Sequence, residues 1–225
     1  MKINKSFDYI VAGGGSAGCT LASRLAENSD AEVLLVEEGG SGKSLFTEMP
    51  AGNGVIFGNP KYDWMFESVP QKGLNGNKLY FPRGRGLGGS SLLNGMIYIR
   101  GNSIDYDRWR QKGLEGWSYS DVLPYFKKSA GAEHRSGSPF HSSTGPLKIS
   151  PAGISDKINQ AFINACIQAG AKENLDFNGN EQNGVGIYDS TIYKGIRSSS
   201  RKSYLNKNFK NLTILKNERI LKILI

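Results

Sequence analysis

The hydrophobic pattern of this chain switches from strand to helix and back within its first forty residues. Phe7 to Ala12 is a short, mostly apolar run of β-favouring residues. Leu21, Ala22, Leu25 and Ala26 then recur at helical spacing on one face. Glu32 to Val36 is a second apolar run of strand length, and it closes on Glu37. Strand, helix and strand are predicted in that order. In the turn before the helix stand Gly13, Gly15 and Gly18, spaced G-x-G-x-x-G, with Ser16 and Ala17 between the last two.

Each residue type in that layout has a physical task. Gly13 permits a tight strand-to-helix turn, Gly15 lets backbone amides approach a pyrophosphate, and Gly18 lets the helix pack closely on the strands. The helix N-terminus supplies unpaired donors and a partial positive charge. Glu37 ends the second strand as an acceptor for the two hydroxyls of a ribose, and its charge would repel a 2′-phosphate. Glycine spacing alone is weak evidence. Strand, turn, helix, strand and acid in order, with about 20 residues from last glycine to acid, is much stronger.

Beyond Glu37 the periodicity loosens. Glu38 to Pro60 is rich in Gly, Ser, Asn and Pro and reads as an excursion over a ligand. Tyr62 to Val69 is a strand candidate, followed by a turn over Gly73 to Asn77 and the segment Lys78 to Phe81. Ser118 and Asp121 have capping-box spacing. Pro124 then either delays the helix or removes one of its hydrogen bonds. Ser155 to Ala169 predicts an amphipathic helix whose packed face is Ile158, Ala161, Phe162, Ala165 and Ala169, ended by Gly170. Gly184 to Tyr193 and Leu212 to Leu215 are strand candidates that would begin a second, substrate-side sheet.

Composition narrows the class. The formal charge of +8 suggests nucleic acid, but the basic residues are scattered and no run interleaves them with stacking aromatics. The basic surface leaves room for weak peripheral contact with anionic membranes. Cys19 and Cys166 form no C-x-x-C and read as buried or half-buried free thiols rather than a disulfide, which suits a reducing compartment such as the cytoplasm. No secretory leader is visible, and no stretch has the length and apolarity of a membrane span. A soluble α/β protein is expected.

A second glycine-rich stretch, Pro82 to Arg100 (PRGRGLGGSSLLNGMIYIR), carries the chemistry further. Gly84, Gly86, Gly88 and Gly89 offer exposed amides with little bulk, Ser90 and Ser91 add hydroxyls, and Arg83 and Arg85 flank them with charge. The run from Gly84 through Leu93, Asn94, Tyr98 and Gly101, closed by Asp107, resembles the first signature of the glucose–methanol–choline (GMC) oxidoreductases. So do YDWMFESVPQKGLNG, RGNSIDYDRW, GWSYSDVLPYFKKS, GPLKIS, DFNGNEQNGVG and RSSSRKSYL, so the similarity covers nearly the whole chain.

That resemblance implies FAD and the oxidation of an alcohol. It implies a Rossmann-like FAD-binding domain, incomplete here, over residues 1–150. The start of an α+β substrate-binding domain would follow over 151–215, then a strand returning to the FAD domain over 216–225. Gly13, Gly15, Ser16, Ala17 and Gly18 would hold the pyrophosphate and Glu37 the adenosine ribose. Arg85, Gly88, Gly89 and Ser90 would lie along the cofactor. Asn94, Gly95, Met96 and Ile97 would line its ring, and the backbone of Ile220 would meet the adenine. Some members bond FAD covalently through a histidine where Leu93 stands; leucine cannot, so FAD is expected without a covalent link.

No catalytic residue is assigned. Neither histidine, His134 or His141, matches the family's catalytic position, which comes late in a much longer chain. The apolar ending LKILI reads as an unfinished strand, so an N-terminal part of such an enzyme is expected, inactive by itself. The substrate is expected to be a small alcohol, in the choline dehydrogenase branch, with the electron acceptor unassigned. Two alternatives stand beside this: a non-catalytic flavin-binding remnant, and an NAD-dependent dehydrogenase, which would leave Gly84 to Gly101 without a purpose.

Overall fold

In the computed structural model, which describes residues 5–153 and 156–224, the first strand–helix–strand unit forms as the periodicity predicts. Strand β1 is Tyr9–Ala12, helix α1 is Ser16–Asn28 and strand β2 is Val33–Glu37. β1 and β2 pair in parallel, with Tyr9 opposite Val33 and Ala12 opposite Val36. Parallel pairing requires a crossover, and α1 supplies it. All five residues of β2 are buried, as expected for the central strand of a parallel sheet.

The third strand of this sheet is Leu212–Lys216, parallel to β2 on the side away from β1. The expectation that Leu212 to Leu215 would open a substrate-side sheet is therefore corrected. Its apolar residues complete the core formed by Val11, Ala22, Ala26, Val33, Leu35 and Leu87, against which Leu212 and Ile214 pack. Residues 217–224 have no regular structure, which corrects the strand expected over 216–225; Ile225 lies outside the described residues. The buried side of α1 is Cys19, Ala22, Ser23 and Ala26, while Leu21 stays exposed. The stripe is shifted toward small residues because the helix lies close on the strands.

By their contacts the chain forms two compact units, residues 1–95 with 195–225, and 96–194, where the resemblance placed boundaries at 150 and 215. Within the first unit the excursion after Glu37 folds into short helices, Leu45–Glu48 and Asn53–Ile56, joined by a single 3₁₀ turn at Pro50–Gly52. Of the strand expected over Tyr62 to Val69, Phe66–Glu67 pairs with Tyr80–Phe81, and Asp63 makes an isolated antiparallel bridge with Gly84.

Among the described residues the second unit holds three longer helices, Ser103–Gln111, Tyr119–Ser129 and Lys157–Gln168. The capping box of Ser118 and Asp121 starts the second of these at once, so Pro124 lies inside it and removes one hydrogen bond. The third is capped by Asp156 and ends before Gly170, at φ +97°; Ser155 lies outside the described residues. Its predicted packed face is not packed. Ile158 is 78% and Phe162 65% exposed, and Ile163 is the buried anchor. Short strands Ile97–Tyr98, Asp189–Ser190 and Ser150–Pro151 form an antiparallel sheet beside a small core of Ala130, Ala132 and Ile149. Among the described residues no helix is long and apolar enough to cross a membrane.

Candidate functional site

The two glycine-rich stretches meet. The Gly88 amide donates to the Gly14 carbonyl at 2.7 Å, the Ser16 hydroxyl to the Gly88 carbonyl at 3.3 Å, and the Gly86 amide to Glu37 Oε1 at 3.0 Å. A Cβ on Gly18 would strike the Gly13 carbonyl, and one on Gly89 (φ +51°) would stand 2.7 Å from the Gly15 Cα. Real side chains do not fit at such distances, so both positions require glycine. Much of what the second stretch approaches so closely is the first stretch itself.

Around this junction lies a cleft of about 450 Å³ lined by Ala12, Gly13, Gly15, Val36, Glu37, Glu38, Trp64, Gly84, Gly89 and residues 218–220. Gly13, Gly15, Glu37, Gly89 and Ile220, assigned to one ligand from far apart in the sequence, thus share one wall. Ser16 and Ala17 open α1 beside it. The first helical bond is from the Cys19 amide to the Gly15 carbonyl at 3.0 Å. The earlier amides of the helix therefore have no intrahelical acceptor and carry the positive end of its dipole. A Cβ on Gly15 would meet nothing within 4 Å, so there is open space beside those amides.

Glu37 is more constrained than expected. Its Oε2 accepts from the Gly14 amide at 2.8 Å, and its Oε1 from the amides of Gly39 (2.8 Å) and Gly86 (3.0 Å). A carboxylate offers about four acceptor positions. Three are filled by backbone, which leaves one for a ligand hydroxyl rather than two. Glu38, half-buried beside it, pairs with Arg85 at 3.4 Å and Arg219 at 3.1 Å.

The remaining expected residues are placed as follows. The Arg85 guanidinium stands behind the cleft wall: it stacks 5.4 Å from the ring centroid of Trp64, pairs with Glu38 and donates to the Pro60 carbonyl at 3.0 Å. Ser90 Oγ accepts from the Gly84 amide at 3.2 Å. Asn94 and Gly95 close the first unit, the Asn94 carbonyl and Oδ1 each accepting from Arg197 Nη1 at 2.8 Å. Met96, with φ +61°, and Ile97 begin the second unit, where the Met96 carbonyl accepts from the Thr191 amide at 2.8 Å. Leu93 is buried with Ile56 and Tyr62. Cys19 is fully buried, its thiol donates to the Gly14 carbonyl at 3.1 Å, and burial pushes its pKa up to about 12, so it is inert.

Sequence reasoning missed Trp64, Glu38 and Arg219 on the cleft wall. Trp64 and Arg219 lie in segments without regular structure, and nothing local marks any of the three as facing a ligand. It also missed Asp63, which is buried and accepts from the amides of Met65 (2.9 Å), Arg83 (3.0 Å) and Gly58 (3.1 Å) and from the Tyr80 hydroxyl. This carboxylate ties the segment carrying Trp64 to the start of the second glycine stretch.

Both histidines are occupied within the second unit. His134 Nε2 lies 3.0 Å from Asp189 Oδ1, and His141 Nε2 lies 2.9 Å from Asp176 Oδ2. Arg135 joins the two carboxylates, at 2.7 Å from Asp189 and 3.7 Å from Asp176. Burial pulls the His141 pKa below its usual value despite the adjacent Asp176 charge. The network holds both imidazoles against carboxylates.

The family model described as GMC oxidoreductase matches residues 7–225. An oxygen-dependent choline dehydrogenase of Photobacterium profundum is 42% identical over 99% of this chain and 40% of its own length. The chain thus spans about two fifths of the length of that curated relative. Pyridoxine 4-oxidase from Mesorbium loti superposes with a TM-score of 0.90 at 34% identity, covering 96% of this chain and 43% of that one. An FAD-dependent oxidoreductase from Chaetomium thermophilum superposes with a TM-score of 0.83 at 29% identity, over 93% of this chain and 38% of that one.

Proposed function

We propose, because this chain belongs to the GMC oxidoreductase family, that it is the FAD-binding part of an oxidoreductase acting on the CH–OH group of a small alcohol. The carrying observation is the cleft whose wall combines Gly13, Gly15, Gly84, Gly89, Glu37 and Ile220. The residues present fit the cofactor. The free amides at the start of α1 suit a diphosphate. Glu37 retains one acceptor position for a ribose hydroxyl, and its charge disfavours a further phosphate there. Gly88, Gly89 and Ser90 continue along the ligand toward Asn94 and Gly95 at the ring. When bound, FAD supplies the acceptor for a hydride from the carbinol carbon, at its N5.

Leu93 is buried against Ile56 and Tyr62 and has no group that bonds to flavin. FAD is therefore held by non-covalent contacts alone. The protein containing residues 1–225 is expected to purify yellow or to take up FAD, and acid precipitation is expected to leave all the flavin in the supernatant. Colourless protein that does not take up FAD would remove the proposal. Flavin in the acid pellet would remove only its non-covalent part.

A second reading, a flavin-binding piece without turnover, draws on the ion pairs of the two histidines. Proton removal from the alcohol needs a base within hydrogen-bond reach, with a pKa near working pH. His134 and His141 are both engaged with aspartates. Residues 1–225 by themselves are expected to oxidise alcohols no faster than free FAD, assayed with an artificial electron acceptor. Turnover above that control would contradict this.

A further inference from the structure

The segment RSSSRKSYL has no part in the reading above, yet its first residue is among the most deeply buried in the chain. Arg197 is 1% exposed. Its Nη1 donates to the Asn94 carbonyl and to Asn94 Oδ1, each at 2.8 Å, and its Nη2 donates to Asn53 Oδ1 at 2.6 Å. Every one of these acceptors is neutral. Among the described residues no carboxylate pairs with Arg197, and its Nε has no hydrogen-bond partner. The other two buried Nε atoms without partners, on Arg85 and Arg201, belong to guanidiniums that do have carboxylates, Glu38 and Glu48.

A charge buried without a counter-charge is costly, and folding alone would be served as well or better by a neutral side chain. The guanidinium is also tied to one place. It holds Asn94, the residue at the ring end of the proposed flavin site, and the neighbouring Ser91 Oγ accepts from the Ser200 amide at 2.9 Å. Resting on the reading of the cleft as an FAD site, we propose that Arg197 is a positioning residue whose unneutralised charge favours the reduced, negatively charged form of the flavin held at Asn94 and Gly95. It fixes the Asn94 turn through its hydrogen bonds and raises the flavin's reduction potential through its charge.

Two substitutions in the FAD-loaded protein separate charge from structure. Arg197→Met removes the cation. Asn53→Asp keeps the guanidinium and its bonds to Asn94 and places a carboxylate where Asn53 Oδ1 accepts from Nη2, neutralising the charge; it gives up only the long donation from Asn53 Nδ2 to the Asn94 carbonyl at 3.3 Å. With the flavin titrated against a redox dye, both are expected to shift the two-electron reduction at least tenfold toward the oxidised form, about 30 mV. Arg197→Lys keeps the charge and is expected to stay near the wild-type potential. Without FAD, Asn53→Asp is expected to melt no lower than wild type, since the ion pair gained by a lone cation offsets the weak bond lost to the Asn94 carbonyl; a purely structural Arg197 would leave the potential unmoved.

If Arg197→Met does not fold or hold flavin, Asn53→Asp decides. A wild-type potential in that variant, or its failure to retain flavin, overturns the inference. Wild-type protein that does not take up FAD counts against the functional reading instead, so the two failures are distinguishable.

Discussion

Glu37→Ala is expected to destabilise the protein by about 3–5 kcal/mol and to weaken FAD binding at least about tenfold. The substitution leaves the amides of Gly14, Gly39 and Gly86 without the acceptor they share at 2.8, 2.8 and 3.0 Å. Each buried donor so stranded costs about 1–3 kcal/mol, and water reaching the three amides from the adjoining cleft keeps the sum in the lower half of that span. Total stability of a domain is roughly 5–15 kcal/mol, so this is a large share. Glu37→Gln keeps one acceptor oxygen but points an NH₂ at an amide N–H, and is expected to fall between wild type and alanine. Urea denaturation of the three proteins without FAD measures the first effect, and flavin titration the second. A loss below about 1 kcal/mol would show that the three amides find water or other partners. In that case Glu37 is a ligand residue and not a junction.

The second large effect is expected at Asp63. Asp63→Ala removes the acceptor of three amides and the Tyr80 hydroxyl, and is expected to cost about 3–5 kcal/mol. Burial by itself would raise the Asp63 pKa. The hydrogen bonds from Tyr80 and from the amides of Met65, Arg83 and Gly58 outweigh it and hold the pKa below the ordinary value. The native state therefore takes up this proton less readily than the unfolded chain. The stabilisation is fully present above the unfolded pKa of about 3.9 and is lost as pH falls through the lower native value. Asp63→Asn has no such charge to lose. The stability gap between wild type and Asp63→Asn is expected to be wide at pH 7 and to narrow below about pH 4, read from urea midpoints. A gap that does not change with pH would show that the carboxylate's charge contributes nothing.

How much of this was visible in the residues differs from element to element. β1, α1 and β2 were legible because each is set by neighbours a few positions away: apolar runs, a glycine-spaced turn, helical spacing. The second glycine stretch was legible as a close approach, but its partner was not. Backbone packing such as that of Gly89 on Gly15 depends on the fold bringing distant segments together. The helix Lys157–Gln168 shows the opposite limit. Its period was read correctly, and the packed side was not, because periodicity defines a stripe without saying what lies against it.

From residue order alone came the nucleotide-binding turn, the acid that ends its second strand, the family, and the absence of a group for covalent flavin attachment at Leu93. All of these depend on side-chain identity at short spacing. Folding in three dimensions decided the rest: that Leu212–Lys216 joins β2, that Glu37 is shared among three amides, and that Asp63 and Arg197 are buried, one saturated with donors and the other without a counter-charge among the described residues. Strand partners, burial and the compensation of charge are set by contacts between residues far apart in the chain. A linear pattern carries no record of which of those contacts form.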